Sequence, residues 1–394
     1  MKFKLKLLST IILIFFIMFS SINYTYATTP PFKIEAKSSI LIDAMTGNVM
    51  YQSNADEKLP PASITKIMVL LLAMESLENN TMKLKDEVTV SEYAASMGGS
   101  QVYLEAGEVN TVETLLKAIA VRSGNDAAVA LAEHIAGSEE LFLKKMNEKA
   151  KQLGMKNTHF SNVTGFDKED HYTTAYDISL MSKELLKHKQ ITQWTNIWMI
   201  TINVGKKHDV EQGLVNTNRL IRFYKGANGI KTGYTSKSGH CLAASATRNN
   251  LTLISVVLGC NSSDIRFRES KKLLDYGFAT YDSVQICKKN AKIKTIDVMK
   301  GKESKVDIYA ADNLYALVNK GTKDKIESKV NLPEYLDCPL STNDKVGELI
   351  IMMDKKIIGK VDLIVKDEVK KANVIDMFEK IFSLMTKKQI KQES

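Results

Sequence analysis

Residues 63–74 read Ser-Ile-Thr-Lys-Ile-Met-Val-Leu-Leu-Leu-Ala-Met: a serine, a lysine three positions later, and then an unbroken apolar run. A run that is apolar on all sides predicts a helix buried within its domain. Helix residues three apart share a face, so the Lys66 amine can reach the Ser63 hydroxyl. A lysine kept neutral by burial can activate a serine as a nucleophile. The alternative is an ordinary helix start, with Ser63 as a cap after Pro60 and Pro61.

The first 27 residues have the pattern of an export signal. Three lysines within the first six residues precede an apolar stretch at 7–18, and Thr25-Tyr26-Ala27 offers a small-residue cleavage site. An uncleaved anchor is the alternative, although the apolar stretch is short for a membrane span. We expect residues 1–27 to be a signal peptide that is removed on export.

The charge composition argues against nucleic acid as a partner. The formal net charge of +9 falls to +6 once the three leader lysines are removed, and no arginine-rich arm or basic and aromatic repeat is present. A mildly basic exported protein is compatible with anionic wall polymers or membrane lipids.

The cysteines and histidines are too dispersed to suggest a metal site. The four cysteines form no close pair, and the six histidines show no His-Glu-x-x-His spacing, so a zinc peptidase is disfavoured and no metal is expected. Cys241 and Cys260 lie in apolar, strand-like runs, and a chain of 394 residues can bury a sufficient core without disulfides. We expect buried free thiols.

The hydrophobic pattern predicts an α+β domain over residues 28–283, with strands at both ends and helices between them. The residues at 160–172 are rich in Asn, Gly, Asp and His and are typical of a loop. The predicted elements are hairpins at 39–53 and 242–258, helical segments at 112–153 and 177–187, and a strand at 198–204.

Short alternating segments after this domain predict a second, all-β domain over residues 284–366. They are separated by turn-forming or charged residues, and none carries recognisable catalytic chemistry. The predicted strands lie at 295–298, 305–309, 314–318, 347–353 and 356–365.

The C-terminal segment, residues 367–394, predicts an amphipathic helix. Its apolar residues form one stripe, with lysines off the stripe, so the helix can lie in a membrane interface with its lysines among anionic headgroups. The alternative is a helix packed on its own protein. The stripe consists of Val374, Ile375, Phe378, Ile381, Phe382 and Met385.

Two further short motifs follow Ser63 and Lys66 in the chain. Ser123-Gly124-Asn125 comes directly after a helical run, and Lys231-Thr232-Gly233 comes just before a predicted strand. Each motif is weak alone, because Ser-Gly-Asn is commonly a plain turn and Lys-Thr-Gly can arise by chance.

Together, in this order, the three motifs are typical of penicillin-binding proteins and class A β-lactamases. The chain resembles the D-alanyl-D-alanine carboxypeptidases, the low-molecular-weight penicillin-binding proteins, over nearly its whole length. The resemblance implies a β-lactamase/transpeptidase-like catalytic domain, in which an antiparallel sheet is flanked by helices and joined by a helical subdomain. The small all-β domain and the terminal amphipathic helix follow it.

Chemistry and resemblance together suggest roles for the first three residues. Ser63 attacks the carbonyl between the two D-alanines of a peptidoglycan stem pentapeptide, and Lys66 accepts the serine proton. Lys231 is the second cation, which keeps Lys66 neutral and can hold substrate charge. Water then hydrolyses the acyl-enzyme without a cofactor. A β-lactam mimics the dipeptide and is expected to acylate Ser63.

The resemblance also implies roles for the neighbouring motif residues. Ser123 relays a proton to the departing amine, and Asn125 hydrogen-bonds the substrate peptide and positions Lys66. The oxyanion hole is formed by the backbone N–H groups of Ser63 and Tyr234, after Gly233 has let the strand approach.

A carboxypeptidase must also recognise a free C-terminal carboxylate. Thr232 can donate one hydrogen bond to it, and in relatives a downstream arginine supplies the positive charge. Counting back from Ser270 favours Arg266, with Arg268 as the second choice; a solvated surface charge is the alternative for either arginine.

Two other functions compete with this interpretation. A class A-like β-lactamase would carry a Glu-x-x-Leu-Asn segment between the second and third motifs, and none lies between Asn125 and Lys231. Gly124 also replaces the aspartate usual in that class. A non-enzymatic, penicillin-binding wall scaffold is the third possibility, although a dead site has no physical need for both lysines.

Overall fold

The structure is a computed structural model that describes residues 32–378. The expected signal peptide, residues 1–27, lies outside the described residues, as do residues 379–394 of the predicted terminal helix. The strands are β1 (Ser38–Asp43), β2 (Val49–Ser53), β3 (Glu87–Thr89), β4 (Val109–Thr111), β5 (Met199–Val204), β6 (Val210–Val215), β7 (Ala227–Thr235), β8 (Gly239–Arg248), β9 (Leu251–Cys260), β10 (Tyr281–Cys287), β11 (Lys292–Met299), β12 (Lys305–Ala310), β13 (Leu314–Asn319), β14 (Glu327–Asn331), β15 (Tyr335–Asp337), β16 (Lys345–Met353) and β17 (Lys356–Val365). The helices are α1 (Lys66–Glu78), α2 (Glu92–Ala95), α3 (Val112–Lys117), α4 (Asn125–Ala136), α5 (Glu139–Gln152), α6 (Ala175–Lys187), α7 (Thr192–Thr195), α8 (Leu220–Phe223) and α9 (Ser263–Thr280).

A five-stranded antiparallel sheet organises the first part of the described chain, with the strand order β2-β1-β9-β8-β7. Alternate side chains of a strand point to opposite faces. Ile40 and Ile42 therefore join the core that contains α1, whereas Leu41 packs with Leu273 and Leu274 of α9 on the other face. Both faces of the sheet are covered by helices, as the α+β prediction requires.

Helix α1 lies in the interior, where every residue from Lys66 to Met74 is buried. The uniformly apolar run is the reason, because a helix without a polar face is stable when all of its sides pack inside the domain. The helical segment predicted at 112–153 is confirmed as α3, α4 and α5, with a π-helical turn at Ala118–Arg122 between α3 and α4. The two hairpins predicted at 39–53 and 242–258 are also confirmed.

Lys231-Thr232-Gly233 precedes strand β8, as predicted, but it also lies inside a strand that was not predicted, β7. Ile230, Thr232 and Tyr234 favour a strand, although the lysine and glycine of the motif interrupt them, and pairing with β8 places Lys231 opposite Ala243 and Gly233 opposite Cys241. Because β7 is the last strand of the sheet, its second edge is free to face the candidate site.

The C-terminal part of the described chain is all-β and has its own apolar core. A six-stranded sheet has the order β14-β16-β17-β12-β11-β15, and β10 pairs with β13. The boundary predicted at residue 283 falls within β10. Residues 374–378 are helical, and no helix within residues 32–378 is both long and apolar enough to cross a membrane.

Candidate active site

Ser63 and Lys66 meet at the start of the buried helix. Ser63 lies in a 3₁₀ turn, Ala62–Thr65, that runs directly into α1 at Lys66. Side chains three residues apart eclipse each other in a 3₁₀ turn, and Lys66 Nζ lies 3.0 Å from Ser63 Oγ. The helix N-cap is Thr65, which makes no side-chain cap bond, so Ser63 does not have the capping role considered as an alternative.

The Lys66 amine is held by three oxygen atoms. It donates to Asn125 Oδ1 at 2.6 Å and to the Thr164 backbone carbonyl at 2.7 Å, and these two oxygens can only accept. A neutral amine has two N–H donors and one lone pair. With both donors used, the lone pair faces the Ser63 hydroxyl, which is the arrangement that a base needs.

The surroundings of Lys66 favour this neutral form. Burial lowers the pKa of Lys66 well below its ordinary value, the nearby Lys231 lowers it further, and Asp126 opposes both. The sequence pointed to both burial and Lys231 as reasons for the neutral base. In the structure, burial of Lys66 is the larger cause and Lys231 the second.

Lys231 and Arg266 are two further basic residues of the site. Lys231 is buried and donates to the Thr232 backbone carbonyl at 3.1 Å. Burial, followed by repulsion from Arg266, lowers the pKa of Lys231 to about 7. Small changes in pH near neutrality therefore change the fraction of Lys231 that is protonated.

The second motif is presented by a break in the helical region. The π-helical turn ends at Ser123, whose backbone is left-handed with φ of 67°, and Asn125 then begins α4. Such π turns recur at functional sites. Asn125 Nδ2 donates to the Gly98 carbonyl at 2.6 Å, which directs Oδ1 to Lys66. The Ser123 hydroxyl is buried and has no hydrogen-bond partner among the residues that the structure describes.

The third motif lies next to the nucleophile turn. Gly233 packs against the nucleophile turn, because a Cβ atom at this position would come 3.0 Å from the Pro61 carbonyl oxygen. The Thr232 hydroxyl bonds to the Thr217 hydroxyl at 2.7 Å. Tyr234 exposes its ring, which stacks on His240 with the ring centroids 4.4 Å apart.

The two candidate arginines, Arg266 and Arg268, differ in burial and in their partners. Arg266 is buried, and its Nη1 donates to the Gly233 carbonyl at 3.0 Å, while Nε has no partner among the described residues. Arg268 is exposed and pairs with Glu35 and Glu269. Only Arg266 touches the third motif.

The loop at 160–172 contributes to the site in a way that no sequence motif indicated. Its Thr164 carbonyl bonds Lys66, and its Asp167 carboxylate accepts from the Thr235 hydroxyl at 2.9 Å, which ties the loop to β7. Every residue has a backbone carbonyl, so the sequence does not show which carbonyl will bind the lysine. Gly165 was the available signal, since a glycine in such a loop can mark a close backbone approach.

Cys241 and Cys260 are buried and free, as predicted. No group of three or more His, Cys, Asp or Glu side chains within residues 32–378 is arranged to hold a metal ion.

Comparison with protein families agrees with this geometry. A family model described as D-alanyl-D-alanine carboxypeptidase matches residues 24–262. A model of the penicillin-binding protein 5 C-terminal domain matches residues 281–371.

Individual proteins show the same similarity. The chain is 42% identical over 356 residues to D-alanyl-D-alanine carboxypeptidase DacF of Bacillus subtilis, covering 90% of both chains. It is 35% identical to D-alanyl-D-alanine carboxypeptidase DacC of Escherichia coli, covering 85% of this chain and 84% of the relative. Penicillin-binding protein 5 from Haemophilus influenzae superposes with a TM-score of 0.75 at 30% identity, covering 86% of this chain and 99% of that structure.

Proposed function

Because the chain belongs to the D-alanyl-D-alanine carboxypeptidase family, we propose that it removes the terminal D-alanine from peptidoglycan stem pentapeptides through an acyl-enzyme on Ser63. The observation that carries this proposal is the Lys66 amine. It is buried and lies 3.0 Å from Ser63 Oγ, with its two donors directed at Asn125 and Thr164.

In the acylation step, Ser63 Oγ attacks the carbonyl carbon of the penultimate D-alanine while its proton passes to Lys66. The negative charge on the carbonyl oxygen is stabilised by the N–H groups of Ser63 and Tyr234. As the intermediate collapses, the C–N bond breaks and the leaving amine takes a proton that Ser123 relays from Lys66. The unpartnered Ser123 hydroxyl supports this role.

In the deacylation step, water attacks the ester and gives its proton to the neutral Lys66. The bond between the acyl carbon and Ser63 Oγ then breaks, the shortened stem peptide leaves as a carboxylic acid, and Ser63 Oγ takes the proton back from Lys66. Both half-reactions use the same base and require no cofactor.

Three groups are suited to bind the terminal carboxylate of the substrate. The Thr232 hydroxyl can turn from Thr217 to the substrate, and Lys231 and Arg266 bring positive charge. Nε of Arg266, which has no partner within residues 32–378, supports this assignment. Arg268 is engaged elsewhere by two carboxylates.

Labelling with a fluorescent penicillin tests the nucleophile. The full-length protein should be labelled covalently and Ser63→Ala should not, with both variants folded by circular dichroism. An unlabelled wild-type protein would favour a wall-binding scaffold. Release of D-alanine from a D-Ala-D-Ala peptide that is slower than benzylpenicillin turnover would favour a β-lactamase.

We further propose that the enzyme acts outside the cytoplasm on the membrane surface. The pattern at residues 1–27 supports export, and the side chains of Val374, Ile375 and Phe378 are exposed where the terminal helix begins. An interfacial helix binds by burying such a stripe among the lipids. N-terminal sequencing of the exported protein should begin near Thr28.

A further inference from the structure

His171 is a buried histidine that the proposed mechanism leaves unused. It is 1% exposed and lies in the loop at 160–172, next to the nucleophile turn Ala62–Thr65. Its Nδ1 lies 3.0 Å from the Ser161 backbone N–H, and its Nε2 lies 2.8 Å from the Thr65 hydroxyl.

These contacts fix where the imidazole proton resides. A backbone N–H can only donate, so Nδ1 is the acceptor and carries no proton. In the neutral ring the proton then sits on Nε2 and is donated to Thr65 Oγ1. Burial lowers the pKa of His171 to about 4, so the neutral ring that this pattern requires is present near pH 7.

The hydrogen bonds continue from Thr65 to the nucleophile. Thr65 Oγ1 accepts from His171 and donates its own proton to the Ala62 carbonyl at 2.8 Å. The carbonyl of Ala62 and the N–H of Ser63 belong to one planar trans peptide, in which they point in opposite directions. The orientation of the Ala62 carbonyl therefore sets the direction of the Ser63 N–H.

The backbone here is in a conformation that needs such support. Ala62 has φ of 48°, which is unusual for a residue with a side chain. A strained backbone conformation of this kind persists where several surrounding contacts hold it in place. The segments next to the loop and the turn also pair, because Leu59 exchanges two backbone hydrogen bonds with Thr173.

We propose that His171 is a positioning residue that, through Thr65 and the Ala62 carbonyl, aims the Ser63 N–H at the oxyanion of the transition state. The inference rests on the proposed function, because it assumes acylation at Ser63. His171 itself touches neither substrate nor the reacting atoms.

The test separates β-lactam binding from acylation by stopped-flow measurement with a fluorescent penicillin, normalised to titrated active sites. His171→Leu removes both hydrogen bonds and should slow the acylation rate constant roughly tenfold to a hundredfold, with little change in the dissociation constant of the initial complex. Thr65→Val, which keeps the side-chain shape, should slow acylation similarly. The double variant should be no slower than the slower single variant, because both substitutions break one chain.

Two further variants distinguish positioning from folding. His171→Gln keeps an acceptor and a donor about as far apart as the two ring nitrogens and should restore most of the rate. His159→Leu, directly before this loop and with a half-exposed side chain, should acylate at the wild-type rate. Wild-type acylation rates in Thr65→Val and His171→Leu would overturn the inference, as would a double variant whose losses multiply. Failure of the wild-type protein to react would instead overturn the proposed function.

Discussion

Gly165 lies so close to Ala62 that a Cβ atom on residue 165 would come 1.9 Å from the Ala62 carbonyl oxygen. The same atom would lie 2.8 Å from the Ser63 backbone nitrogen. Since the preceding residue, Thr164, supplies the carbonyl that binds Lys66, this contact fixes the loop against both the nucleophile and its base.

Gly165→Ala should therefore impair both stability and acylation. Gly165 has φ of 91°, and an alanine there must also push the loop off the nucleophile turn. Gly137→Ala is the matched control, because Gly137 has φ of 86° but no neighbour from residues 32–378 within 4 Å of the added atom. We expect the control to lose about 1 to 3 kcal/mol of unfolding free energy and keep its acylation rate. Urea unfolding and penicillin labelling measure the two effects, and equal acylation rates in the two variants would contradict the close-approach argument.

Asn125→Asp should slow the reaction by changing the charge state of the base. A carboxylate 2.6 Å from the Lys66 amine stabilises its ammonium form, so the pKa of Lys66 rises and less neutral base is present at pH 7. We expect acylation at pH 7 to fall roughly tenfold or more, and the acid limb of its pH profile to move to higher pH. Asn125→Ala removes the acceptor without adding charge. It should lose rate without the upward movement of that limb, and the same movement in both variants would contradict the electrostatic explanation.

The sequence identified residues that carry the chemistry in their side chains but could not show what holds them. Ser63 and Lys66 are visible because they sit three positions apart ahead of an unmistakable buried helix. Thr164 acts through its backbone carbonyl, which any residue possesses. The strand containing Lys231 was missed because Lys231 and Gly233 interrupt its strand-forming residues, and its pairing with β8 shows in the structure alone.

Arg266→Met should shift the alkaline limb of penicillin acylation. Burial and then Arg266 lower the pKa of Lys231 to about 7, so Lys231 carries its charge below about pH 7 and loses it above. Removing Arg266 raises the pKa of Lys231. The second-order rate constant of acylation by penicillin should therefore begin to decline at a higher pH. Arg268→Met provides the control, since Arg268 is exposed and pairs with Glu35 and Glu269. An unshifted limb in Arg266→Met, or an equal shift in both variants, would contradict this electrostatic link.

Phe378→Asp should weaken binding to lipid vesicles. Phe378 is 70% exposed at the start of the terminal helix and belongs to the apolar stripe predicted to enter the interface. An aspartate there cannot be buried among lipid chains without a large desolvation cost. Phe223→Asp is the matched control, because Phe223 is also 70% exposed but lies on helix α8 of the first domain. In flotation with vesicles containing phosphatidylglycerol, we expect the wild-type protein and Phe223→Asp to float and Phe378→Asp to remain largely in solution. Equal flotation of the two variants would contradict attachment through the terminal stripe.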